Sequence, residues 1–142
     1  MLHEVKRRVI ACAEGAAQAT GCTMAVEEER RVMAPYRVNR PFADLYSTQN
    51  AYLGLVESDS PADRNRGSSD IGNVSQVVPT IHPHVPIGDG IHIHTPGFAA
   101  AAGSERGGEA VLEGARAMAL TAIDLCLRPE LRETITKERL EN

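Results

Sequence analysis

Between Glu105 and Leu127 apolar residues recur at helical spacing. Val111, Ala115, Met118, Ala122 and Leu125 form one stripe, and Leu112, Ala119, Ile123 and Leu127 lie beside it. A helix apolar over so wide an arc needs cover on more than one side, so the pattern predicts that helix 105–127 is largely buried. Aromatic residues are only 4% of the chain and Trp is absent, so the core has to be built from Ala, Val, Leu and Ile.

The other elements follow from changes of period. Leu2, Val5, Val9, Cys12 and Ala16 make one stripe of a helix over 2–20, and Gly21 stands just past its end. Cys22, Met24 and Val26 then alternate with Thr23, Ala25 and Glu27, which predicts a half-buried strand. The run Glu27–Arg31 reads as a solvated strand end or turn. Asn39 suits an N-cap and Pro41 a first helical turn, ahead of a helix with Phe42, Leu45, Tyr46, Gln49 and Leu53 on one face. Residues 57–70 read as a polar surface loop, and Val74–Val78 as a short buried strand ended by Pro79. Residues 79–98, rich in Pro and Gly, are expected to be irregular, with one extended piece at Ile91–His94. Pro129 opens a final, charged helix.

Composition excludes several classes of function. With 142 residues, 42% hydrophobic and 24% charged, the chain is globular rather than disordered. A formal net charge of -4 argues against a nucleic-acid partner. No apolar run approaches the roughly 18 residues of a membrane span. The start carries no long apolar stretch of a targeting signal, so a cytoplasmic protein without membrane or nucleic-acid partners is expected. Cys12, Cys22 and Cys126 give neither a disulfide framework nor a CxxC pair, and are expected to be small buried hydrophobes.

Two groups of residues carry possible chemistry. His82, His84, His92 and His94 fall within thirteen residues. In an extended segment side chains two apart face the same way, so each His-x-His pair can point at one metal ion. A structural zinc site needs four ligands and a catalytic one three plus water. Spacing alone does not fix which histidines converge, and loop histidines with ordinary hydrogen bonds remain the alternative. Ser68, Ser69 and Asp70 close the polar loop, where Asp70 either caps a turn or lines a cleft. No Gly-rich phosphate loop, GxSxG or HExxH occurs.

Three segments together resemble the zinc-dependent aminoacylase and carboxypeptidase family of amidohydrolases, in particular its p-aminobenzoyl-glutamate hydrolase-like and dipeptidase-like aminoacylase subgroup. They are S-[ST]-D-x-G-N-V-S at Ser68–Ser75, H-[TN]-P-x-F at His94–Phe98, and P-x-x-x-N at Pro35–Asn39, followed by the Ala-rich helix. The resemblance covers nearly the whole chain but only about the last third of a family member. It implies an α/β fold in which residues 1–37 are the end of an α+β lid (dimerisation) domain and residues 38–142 the C-terminal part of a zinc-binding catalytic domain. It implies that His94 is a metal ligand, for zinc or manganese, and that Ser69, Asp70 and Asn39 contact substrate. The family's paired glutamates, which supply a ligand and the general base, have no match; Glu27, Glu28 and Glu29 do not fit that motif.

The leading expectation is therefore part of a metal-dependent amidohydrolase or peptidase for N-acyl amino acids or small dipeptide-like amides, without catalytic residues of its own and inactive as this chain alone. The alternatives are a non-catalytic oligomeric binding or scaffold protein derived from that family, and a small histidine-based metal-binding module. Because both long apolar helices exceed what the few expected strands can cover, a homo-oligomer is expected.

Overall fold

The computed structural model describes residues 2–27, 32–55 and 69–141. Glu28–Arg31, nearly all of the polar loop expected at 57–70, and the motif residue Ser68 lie outside the described residues. Two compact units divide the chain, Met1–Val32 and Met33–Asn142.

The first unit is built on α1 (Leu2–Thr20), which spans the range its apolar spacing predicts. Gly21 takes φ 71°, and the amide of Cys22 donates to the Ala17 carbonyl at 2.9 Å. That left-handed turn suits a residue without Cβ and ends the helix. No residue of α1 is buried; Leu2, Val5 and Val9 are 59%, 52% and 62% exposed. Beyond the helix, Cys22–Glu27 is not paired with a strand among the described residues. Alternating apolar residues suit one face of a sheet, but a strand exists only by pairing with a neighbour.

The second unit begins with an irregular segment held by side chains rather than by a strand. The Ala34 amide donates to Asn73 Oδ1 at 3.1 Å, and the Arg37 amide to Ser75 Oγ at 3.0 Å. Gln76 Nε2 donates to the Pro35 carbonyl at 2.7 Å. The donors and acceptors on the other side belong to the single helical turn that follows the polar loop (α3, Ile71–Ser75, with α2 taken as Arg40–Tyr52) and to its C-cap Gln76. Contact is close enough that a Cβ on Gly72 would lie 1.9 Å from the Ala34 carbonyl oxygen.

This geometry corrects the expected buried strand at 74–78. Val74, Val77 and Val78 are 47%, 67% and 47% exposed. Ser75 and Gln76 both serve the same neighbouring segment. A strand would send those adjacent side chains to opposite faces, whereas a helical turn lets both reach it.

α2 starts where Asn39 and Pro41 predict, with Asn39 Oδ1 accepting from the Phe42 amide at 3.1 Å. It buries Leu45, Tyr46 and Gln49 and packs on α5 (Glu105–Leu127) and α6 (Pro129–Glu141), which also pack on each other. Gln49 Nε2 donates to Asp124 Oδ2 at 2.6 Å, tying α2 to α5. A helix not foreseen in the irregular stretch, α4 (Pro96–Ala102), packs on α5 as well. The core consists of Leu45, Tyr46, Ala110, Ala117 and Ile135.

α5 runs over its predicted range but buries a different face. Gly107, Ala110, Ala117 and Thr121 are buried, while Val111, Leu112, Met118, Ile123 and Leu127 are 70%, 56%, 60%, 51% and 73% exposed. The small-residue side lets neighbours approach closely: a Cβ on Gly107 would meet the Ala102 carbonyl oxygen at 2.3 Å. α2, α4 and α6 pack on α5, and the expectation of a largely buried helix fails because no described element covers the large-residue side. Cys126 lies there, and like Cys12 and Cys22 it is exposed, contrary to the buried role expected of all three.

These contacts set two glycines apart. Gly72→Ala should destabilise the fold by about 1–3 kcal/mol through overpacking. Gly108→Ala, in the same chain but with open space around its Cβ position, should stabilise by about 0.5–1 kcal/mol by helix propensity. Urea denaturation of both variants checks the contrast, and equal effects would show that the α3 contact is not tight.

Candidate functional site

Asn39 is the most engaged of the residues that the sequence marks. It is 3% exposed. Its Oδ1 caps α2, its Nδ2 donates to the Ile135 carbonyl at 2.8 Å and to Glu138 Oε2 at 2.7 Å, and its amide donates to the Thr80 carbonyl at 3.2 Å. Both side-chain N–H bonds thus go to α6, and the residue fixes the start of α2 against the end of the chain. Arg37 Nη2 donates to the Arg139 carbonyl at 3.4 Å, and Arg139 Nη1 to the Gln76 carbonyl at 3.1 Å. Around this junction lies a cleft of about 330 Å³, lined by Asn39, Ser75, Thr80, Glu138 and three arginines among others.

Ser69 and Asp70 stand at the entrance of α3, both exposed. Ser69 Oγ accepts from the Ile71 amide at 3.2 Å, while Asp70, in helical conformation (φ −67°, ψ −11°), makes no side-chain cap bond. Neither lines the cleft around Asn39.

The histidine loop is shaped by Thr95. Its hydroxyl donates to the His92 carbonyl at 2.7 Å and accepts from the Phe98 amide at 3.2 Å, capping α4, with Pro96 in the first turn. Between the two, His94 takes φ 62° and is exposed. A left-handed residue is uncommon outside glycine, and it breaks the extended alternation that would point His92 and His94 the same way. His82 and His84 do approach each other, with ring centroids 4.7 Å apart at 44°. Among the described residues no three His, Cys, Asp or Glu side chains converge on a possible metal position. His94 is thus placed as a single exposed imidazole, and the described donor set does not fit a complete zinc or manganese centre.

Arg106 anchors the loop that carries these histidines. Its Nη1 and Nη2 lie 2.7 Å from the two carboxylate oxygens of Glu113, and Nη2 also donates to the Pro86 carbonyl at 2.8 Å. The Arg106 guanidinium is the main cause that holds the Glu113 carboxyl below the usual carboxylate range. Sequence reading missed this clamp and the roles of Ser75 and Gln76. Arg106 and Glu113 stand seven apart on one helix, a spacing that puts both near one face, but nothing local names the Pro86 carbonyl as their third partner.

No family model matches the chain. It is 35% identical over 139 residues to an Xaa-Arg dipeptidase of Mus musculus and 33% identical over 139 residues to an Xaa-Arg dipeptidase of Homo sapiens. In each case the match covers 96% of this chain and 32% of the relative. The chain therefore has a dipeptidase-like peptidase relationship, and it spans about a third of the length of the curated relatives it matches.

The depressed Glu113 pKa gives the clamp a definite pH window. Its contribution is complete above the carboxylate's unfolded pKa and is lost as pH falls through the lower folded value. On acidification the Ile87 amide resonance, next to Pro86, should hold through the ordinary carboxylate range and move only below it. In Arg106→Gln that late step should vanish; an identical step in both proteins would refute the clamp.

Proposed function

We propose that this chain is part of a peptide hydrolase that cleaves small dipeptide-like amides, including dipeptides with a C-terminal arginine of the kind in its relatives' names. The observation that carries this reading is the similarity to two Xaa-Arg dipeptidases along almost the whole chain. The three resembling segments support it from the sequence side. In this reading residues 38–142 are the C-terminal part of an α/β catalytic domain of the zinc aminoacylase type, acting also on N-acyl amino acids, and residues 1–37 close a lid domain. His94 is one donor to the zinc or manganese site of the full assembly, and Ser69 and Asp70 shape the substrate pocket. Asn39 acts as a positioning residue rather than a substrate contact, because its side-chain donors go to α6.

Amide hydrolysis needs a polarised carbonyl, an activated water and a group to accept its proton. In this reading the rest of that set comes from parts of the hydrolase outside this chain, which does not turn over substrate alone. The exposed apolar sides of α1 and α5 each favour burial by about 25 cal/mol per Å². They support self-association as the way the isolated chain covers them, in preference to a monomer. No helix among the described residues is long and apolar enough to cross a membrane. A cytoplasmic location, free of membrane and nucleic acid, remains part of the proposal.

The test is a chimera in which this chain replaces the matching third of the murine dipeptidase. It should hydrolyse an Xaa-Arg dipeptide, and His94→Ala should lower kcat/KM by about a hundredfold or more, since loss of even a group that only orients a metal ligand costs about 10–100-fold. The isolated chain should show no turnover above its own His94→Ala control. A folded chimera indifferent to His94→Ala would overturn the assignment of His94, and turnover by the isolated chain would reveal a complete site within it.

For the isolated chain, sedimentation at micromolar concentration should give a dimer or larger species. A folded monomer near 15.3 kDa would show that the exposed faces tolerate water.

A further inference from the structure

The cleft beside Asn39 has a charge character that the peptidase reading does not use. Arg37, Arg40 and Arg139 line it, with Glu138 as its one carboxylate among the described residues. Arg37 and Arg139 are each held by a backbone carbonyl, of Arg139 and Gln76 respectively. A neutral carbonyl orients a guanidinium without cancelling its charge, and each guanidinium has five N–H donors, so most remain for a ligand. Arg40 is exposed, and no described carboxylate forms an ion pair with any of the three. The Glu138 carboxylate receives an N–H from Asn39, which ties it to the wall. Three positive charges, two of them held in place, stand against one negative in a chain whose formal net charge is -4. Val38 and Val78 give the same cleft an apolar wall.

We propose that this cleft binds a small organic carboxylate, its carboxylate held by the guanidiniums and its carbon stem laid on Val38 and Val78. The pairing follows from chemistry: a planar guanidinium fork matches a carboxylate edge in two hydrogen bonds. The volume of about 330 Å³ sits at the small end of ligand sites, which suits a molecule of a few carbon atoms rather than a peptide chain. Neither His94 nor Asp70 lines the cleft, so its occupancy is separate from the proposed peptidase site.

Calorimetric titration of the full chain with glutarate tests this, with inorganic phosphate in a second arm. Glutarate should bind saturably, and Arg40→Gln should weaken it roughly tenfold, as removal of one charge-assisted contact does. Arg116→Gln, which changes net charge equally but lies on α5 outside the cleft, should leave binding unchanged. Phosphate should bind more weakly than glutarate, because it has no stem to lay on the apolar wall. Absence of saturable binding, or equal loss in Arg40→Gln and Arg116→Gln, would overturn the site. Phosphate binding as tight as glutarate would overturn the role given to Val38 and Val78.

Discussion

The hydrogen bonds between the Ala34–Arg37 backbone and the side chains of Asn73, Ser75 and Gln76 are what the larger unit depends on. An unpartnered backbone group costs most where water is excluded, and here two amides and a carbonyl, in part-buried to exposed positions, find partners 38 to 41 residues away. Fixing that strip fixes Asn39 at its end. Asn39 in turn caps α2 and binds two groups on α6. The chain from α3 to the strip, to α2 and to α6 is thus a polar relay laid over a very small apolar core. Among the described residues no buried side-chain nitrogen or oxygen lacks a partner, which is what such an arrangement requires.

α5 shows the other constraint. Its two sides are built for different neighbours. Gly107, Ala110, Ala117 and Thr121 admit closely packed helices and a loop, and Val85 sits 3.3 Å from where a Cβ on Gly114 would be. Val111, Leu112, Met118, Ile123 and Leu127 offer the larger apolar area and are left to solvent. Full burial of each such side chain is worth about 1.5–3 kcal/mol, and at half to three-quarters exposure most of that is not realised in the fold as it stands. The same division between helix formation and helix coverage appears in α1, whose stripe is regular and wholly unburied.

Much of the local structure was legible in the sequence. The bounds of α1 and α5, the Asn39 cap and the charged final helix follow from spacing and capping chemistry, which act within a few residues. What could not be read depends on distant partners. The Val74–Val78 segment looks like a buried strand because its valines dominate the pattern, yet its polar residues decide the outcome by binding residues 34–37. The apolar residues of α5 reveal a helix but not which side meets α2. For the candidate site, Thr95-Pro96 was a visible helix start hidden in an irregular stretch, and the left-handed backbone at His94 had no local signal. His94, Ser69 and Asp70 were marked by resemblance, while the Arg106 clamp and the arginine-lined cleft emerge only when the chain is folded.

Amide hydrogen exchange at Arg37 tests the central relay most directly. Ser75→Ala removes the acceptor of that amide without touching the α2 cap. The Arg37 amide should then exchange about tenfold faster or more, as loss of roughly 1.4 kcal/mol of local protection implies, while amides in the middle of α5 keep their protection. Unchanged exchange at Arg37 in a folded Ser75→Ala protein would contradict the account, because the strip would then be held by something other than α3.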